Sequence, residues 1–310
     1  MIIEILIIIA VIYLLIGSYT DLKTREVPDI VNFSFIALAF GVNLSLSVIY
    51  SDWSFIVSSI IGFFLAIFIA MIMYYTGQWG GGDAKMLFGL GALLGIGIQF
   101  PIDFSVSILF TFKTILLQFF NQPPLLFIFF VYMLIVGGVY GILWSIYLAA
   151  ASWKKFIIAF NERIHQKDIL LLRKLLMMFS LVMIVVVFFI DDIAVKLLLI
   201  SLLLMLILTF YLYQFIKVIE KVAMLKSVNP EQLTEGDWIA EDIVINDIYI
   251  AGPKDLGIEK MQILKLIELH KEGKIENVQI KQGIPFIPSF LITLLMSYFV
   301  GLGWLAALFR

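Results

Sequence analysis

Long apolar runs separated by short polar stretches fill most of this 310-residue chain. Eight runs approach or exceed the roughly 20 residues that a helix needs to cross a bilayer. They are 2–20, 30–50, 54–75, 84–112, 124–151, 172–190, 193–217 and 285–308. The fourth is long and carries Pro101, which predicts a spanning helix followed by a surface segment. The sixth and seventh are joined only by Asp191 and Asp192, so they should form a tight helical hairpin. No fixed-period repeat and no low-complexity tract interrupts this pattern.

The one sizeable polar region is 227–282. Residues 238–250 have the short, alternating, β-branched runs of one or two strands, broken at Gly252-Pro253. Ile258, Met261, Leu264, Ile267 and Leu269 then recur near helical spacing until Gly273, predicting a helix over 258–271. A strand over 275–281 follows. The fold class expected is an all-α polytopic membrane protein of about eight transmembrane helices with a small cytoplasmic α+β module. Four parts are anticipated: a core at 1–112 holding the motifs below, additional helices at 113–226, the module at 227–282, and a last helix at 283–310. The module is too small for a large core.

Composition agrees with the pattern. The chain is 62% hydrophobic and 14% charged, with a mean hydropathy of +1.07, far outside the soluble globular range. It has no cysteine, which excludes disulfides, thiolate zinc sites and cysteine nucleophiles. The net charge of −2 gives no reason to expect a nucleic-acid partner. The first residues lack the basic region and cleavage site of a secretory signal, so a retained first span is expected. With eight spans, all the lysines and arginines except Lys113, Lys196 and Arg310 fall on one side. The positive-inside rule makes that side the cytoplasm and puts both termini outside. The module carries eleven acidic residues against six lysines. It reads as a solvated domain bracing the helices, or as an acidic surface attracting a basic substrate segment.

Two carboxylates stand out against this background. Asp21 closes the first span, in Asp21-Leu22-Lys23-Thr24-Arg25-Glu26-Val27-Pro28-Asp29, and Asp83 follows Gly80-Gly81-Gly82 at the head of the fourth. Two crossings separate them, so the chain returns both to one membrane face. Taken singly, each has an ordinary reading. Asp83 suits a helix N-cap, as does Asp29 after Pro28, and Asp21 suits an interfacial charge. Taken together, two aspartates at one face, one behind glycines that admit another backbone closely, point to amide hydrolysis. That chemistry needs one carboxylate to activate water and one carboxyl to donate a proton. Two close carboxyl groups share a proton because both cannot ionise cheaply. Either aspartate can be the base.

The segments around these residues resemble the two motifs of the type IV prepilin peptidases, the second being Gly-X-Gly-Asp followed two residues on by lysine, here Lys85. The resemblance covers 1–95, including the two intervening spans. The tail Gly283-Ile284-Pro285-Phe286-Ile287-Pro288 and the polar module resemble the archaeal branch, which includes the preflagellin peptidases. Residues 113–226 match no motif, and their hairpin exceeds the compact six-span archaeal plan. The resemblance implies a multi-pass aspartic endopeptidase of the cell membrane. It would remove short basic leaders from pilin-like or archaellin precursors at the cytoplasmic face. It would use Asp21 and Asp83 as its catalytic pair, with Gly80, Gly81, Gly82 and Lys85 shaping the site. Bacterial members that also methylate carry a cysteine-rich insert, so the absence of cysteine argues against N-methylation here.

Rival classes fit less well. A transporter also uses membrane carboxylates, but these gather at one face. A presenilin-like intramembrane protease shares Gly-X-Gly-Asp, yet its first aspartate follows tyrosine, whereas Thr20 precedes Asp21. A metalloprotease would need a ligand set, and His165 and His270, the only histidines, are far apart and expected at the surface. No metal and no cofactor are expected. Besides the precursor, the partner is membrane lipid.

Overall fold

The computed structural model describes residues 2–97, 123–245 and 248–301. The protein is a polytopic helical membrane protein with a small α+β module. Its described residues fall into two compact units, 1–142 with 283–310, and 143–282. Among the described residues six helices are long and apolar enough to cross a membrane.

The first unit contains α1 (Ile2–Thr24), α2 (Asp29–Ile49), α3 (Ser54–Tyr75), α4 (Gly81–Leu94), the first part of α5 (Leu125–Ala151) and α10 (Ile287–Phe299). Small residues set the closest approach, as is usual where lipid removes the hydrophobic drive between helices. Gly62 and Ala66 of α3 lie directly against Gly91 of α4, so that a Cβ on Gly91 would collide with both. A buried apolar stripe on α1, including Ile7, Ala10 and Leu14, continues through Gly17 to Asp21.

The expected span at 84–112 needs correction. Helix α4 stops at Leu94, where Gly95 and Gly97 take φ of +57° and +59°. These left-handed glycines end it, ahead of Pro101, which lies outside the described residues together with the rest of that run. At 14 residues α4 is about 21 Å long, short of a full crossing. A helix end at such depth must have its carbonyls satisfied. Buried Asn43 of α2 donates to the carbonyls of Ala92 and Leu93 at 3.1 and 3.2 Å. Ser59 donates to Ala92, and the Ser58 hydroxyl accepts from Gly97 N–H at 2.9 Å. Helix α10 is also shorter than the expected 285–308, and residues beyond 301 are not described.

The second unit holds the rest of α5, then α6 (Trp153–Ile164), α7 (Lys167–Phe188) and α8 (Ile193–Ala223). The stretch 152–171, expected as a connecting loop, is instead the amphipathic helix α6 and the start of α7. Phe156 of α6 is buried against Val218 and Ile219 of α8, while Ile157 and Ile158 are exposed. The anticipated hairpin is present: Asp192 caps α8, accepting from Ala194 and Val195 N–H at 2.8 and 3.3 Å.

The module follows: β1 (Leu225–Val228), β2 (Trp238–Ile239), β3 (Ile243–Ile245), β4 (Ile248–Ala251), α9 (Lys260–Lys271) and β5 (Val278–Lys281). One sheet has the antiparallel order β1-β5-β2, with Leu225 opposite Lys281 and Val228 opposite Val278. A second pairs β3 with β4. Strand β1 escaped the sequence reading because Leu225–Val228 continues the α8 run without a breaker. Val228, Ile239, Ile258, Leu266 and Val278 form a core of their own. His270 ties the turn after α9, bonding the Ile275 carbonyl at 2.8 Å and Asn229 at 3.1 Å.

Candidate active site

Asp21 sits in the last turn of α1 and is 5% exposed. A carboxylate there faces the negative end of its own helix dipole, the unfavourable end. The first turn of α10 compensates. Asp21 Oδ2 accepts the Ile287 N–H at 3.0 Å, and the Phe286 backbone also reaches it. Phe286, at the N-cap of α10, makes no side-chain capping bond. The carboxylate from α1 thus caps a helix 266 residues away in sequence. Gly17, one turn earlier, makes the approach possible: a Cβ there would lie 2.7 Å from Met86 Cε of α4 and 3.2 Å from Ile287 Cγ2.

Helix α1 ends by turning Arg25 into the left-handed region at φ +63°, with its N–H on the Asp21 carbonyl at 2.9 Å. Glycine is the usual residue at such a helix end, and an L side chain there costs about 1–2 kcal/mol. The turn keeps the Arg25 charge within electrostatic reach of the Asp21 carboxyl. Tyr140 of α5 is in reach of both Asp21 and Arg25.

Asp83 arrives by a different route. Helix α3 closes with a Schellman-type pattern, in which Gly77 (φ +71°) donates to Tyr74 O and Gln78 to Met73 O, both at 2.9 Å. Trp79 then enters the core beside Phe286 and Phe290, with ring centroids 5.6 and 5.3 Å away. Gly80 caps α4, and Asp83, its third residue, accepts the Gly80 N–H at 3.1 Å. This is the capping role weighed from the sequence, although Asp83 occupies N3 rather than the cap. Asp83 is half-buried, and the Asp21 charge acts on its carboxyl. The structure therefore brings the two aspartates into one electrostatic unit, at the end of one helix and the start of another.

The flanking motif residues divide. Gly82 faces Val27, whose Cβ and N would each be 3.3 Å from an added Cβ. Gly81 faces open space. Lys85 does not point to the aspartate pair: its Nζ bonds Asp29 Oδ1 at 2.6 Å and lies 5.3 Å from the Phe33 ring centroid. Asp29 is correspondingly not a cap. It occupies the first position of α2 after Pro28, and no side-chain cap bond forms there. The Ile287 donor, Trp79, Arg25 and Tyr140 were not foreseen as parts of the site. The apolar run from 285 and Pro288, which announces a helix start, marked α10 itself, but nothing marked its meeting with Asp21. Both histidines lie in the second unit, and among the described residues no group of three His, Cys, Asp or Glu side chains could hold a metal.

Residues 8–142, which include both aspartates, match the model of the type IV leader peptidase family. This segment, less than half of the chain, is what is similar to that family. A preflagellin peptidase of Methanocaldococcus jannaschii is 41% identical over 87 residues, 28% of this chain and 37% of that protein. Preflagellin peptidases of Methanococcus maripaludis and Methanococcus voltae are 38% and 36% identical over 104 and 132 residues. These alignments span 33% and 40% of this chain, and 44% and 54% of those proteins. The chain thus spans about half or less of the length of these curated relatives. No solved structure matches it. The leader peptidase segment contains Asp21, Asp83, Arg25, Trp79 and Tyr140, but ends well before the α10 backbone that caps Asp21.

Proposed function

We propose that the protein is a membrane aspartic endopeptidase that removes short basic leaders from archaellin or pilin-like precursors, with Asp21 and Asp83 as its catalytic pair. The observation that carries this reading is the convergence of the two carboxyl groups within the leader peptidase segment. The names of the methanogen relatives support the substrate class.

The chemistry balances on the pair. The ionised carboxylate takes a proton from water as the water oxygen adds to the scissile carbonyl, and the protonated partner donates to the carbonyl oxygen. On collapse of the gem-diol intermediate, a carboxyl proton goes to the leaving nitrogen, the C–N bond breaks, and one diol hydroxyl returns its proton to the pair as the product carboxylic acid forms. One proton remains on the pair for the next cycle, so its titration belongs to both groups together. Lysines and arginines concentrated in the loops and span ends on the same side as the pair argue that this face is cytoplasmic. The precursor, still anchored by its hydrophobic segment, would present its cleavage site there.

The test is incubation of membranes containing the protein with purified archaellin and pilin-like precursors, followed by N-terminal sequencing of the products. Cleavage just before the hydrophobic segment is expected. No cleavage of any such precursor by well-inserted protein would refute the proposal.

A further inference from the structure

The helices of the second unit form a cavity of about 210 Å³ between α6 and α8. Its walls carry Arg163, Lys217 and Lys221, with Gln166 as a further donor and Glu162 as the only acid; Ala159 and Val218 are its apolar lining. Arg163 is held in place, its Nε donating at 3.2 Å to Gln214, a polar side chain that is itself buried. Lys217 reaches Glu220 at 3.1 Å, but Glu220 is shared with Lys281, so the cavity keeps its positive excess. Lys221 makes no ion pair among the described residues.

The depth of the cavity indicates what fills it. The α7–α8 hairpin turns at Asp191 and Asp192. Counting from there, α7 reaches Lys167 after 22 residues and α8 reaches Gln214 after 22, about 33 Å in each case. That is one hydrocarbon thickness, so Arg163, Lys217 and Lys221 sit at headgroup level. Nearly all of the hairpin is exposed and apolar, the character of a lipid-facing surface. Exposed Tyr213 and Ile216 of α8, with Ile157 and Ile158 of α6, continue this surface toward the cavity. A cationic pocket opening onto an apolar helix face matches one class of ligand: a phosphate group carried on acyl or alkyl chains.

We infer that the α6–α8 cavity binds the headgroup of an anionic membrane phospholipid, with Arg163, Lys217 and Lys221 around the phosphate and the chains along the hairpin. This would give the middle of the chain, which matches no catalytic motif, a role in anchoring the protein in anionic bilayer.

The full chain, purified in detergent and delipidated, would be titrated with phosphatidylglycerol, with phosphatidylcholine of the same chains and with inorganic phosphate, and binding read by native mass spectrometry. The K217Q/K221Q double variant is the control, because both side chains are exposed and neither holds Gln214. The wild type is expected to prefer phosphatidylglycerol, and each lysine removed should weaken that binding by about fivefold. Inorganic phosphate should not displace the lipid. Equal affinity for the zwitterionic lipid, an undiminished preference in the double variant, or displacement by free phosphate would each overturn the assignment.

Discussion

Replacing Asp21 by asparagine and by alanine separates the two jobs that the structure places on one carboxyl group. Asparagine keeps an oxygen where Oδ2 accepts the Ile287 N–H at 3.0 Å, and loses the charge and the exchangeable proton. A bond to a charged acceptor contributes about 1.5–3 kcal/mol and a neutral one about 0.5–1.5, so the exchange should cost about 1 kcal/mol. Alanine removes the acceptor altogether and leaves a buried donor unmatched, a further cost of about 1–3 kcal/mol. Thermal unfolding in detergent should therefore rank wild type, D21N and D21A in falling order, with the larger step between the last two. Activity should not follow that ranking. If Asp21 is half of an acid–base pair, both variants should lose about 10²–10⁴-fold in precursor cleavage, the usual share of a general acid or base. D21N with turnover within about tenfold of wild type would refute the catalytic role. Equal stability of the two variants would refute the role of Asp21 as the cap of α10.

D83N should likewise abolish cleavage while the protein still inserts; substantial turnover would remove the paired mechanism. G81A should be tolerated, because nothing lies within 4 Å of the added carbon, whereas G82A should lower activity, because Val27 must shift to admit it; the reverse order would mean that the glycines serve the substrate rather than the packing. Lys85 and Asp29 are 33% and 64% exposed, so a double-mutant cycle on unfolding should find less than about 1 kcal/mol between them. D29N should cleave nearly as well as wild type. Chelators should leave cleavage intact, since a carboxyl pair activates water unaided; loss restored by a divalent ion would overturn the aspartic mechanism.

Local chemistry made much of this molecule legible in one dimension. Apolar length marked the spans at 54–75 and 193–217 because the bilayer demands about 20 apolar residues from each helix. The Asp191-Asp192 interruption marked the hairpin. Alternation and a closing Gly273 marked the strands and helix of the module. Asp21 and Asp83 were visible because charge beside apolar runs is costly and rarely retained without use. Helix faces were not legible in the same way. Around α1 almost every side chain is apolar, so hydropathy cannot say that Ala10, Leu14, Gly17 and Asp21 point inward. The end of α4 at Leu94 was equally hidden, since its carbonyls depend on Asn43 and Ser59 from other helices, and the Gly97 N–H beyond it on Ser58. The role of Lys85 was decided by Asp29 and Phe33, 56 and 52 positions away in sequence. So was the company of Asp21, whose donor comes from a helix beyond the module. Sequence determined which segments are apolar enough to enter a membrane and which carboxylates are chemically conspicuous, because those follow from each residue's own transfer energy. Only the tertiary structure decided which backbone each carboxylate meets, because a hydrogen bond at 3.0 Å depends on how two distant helices pack.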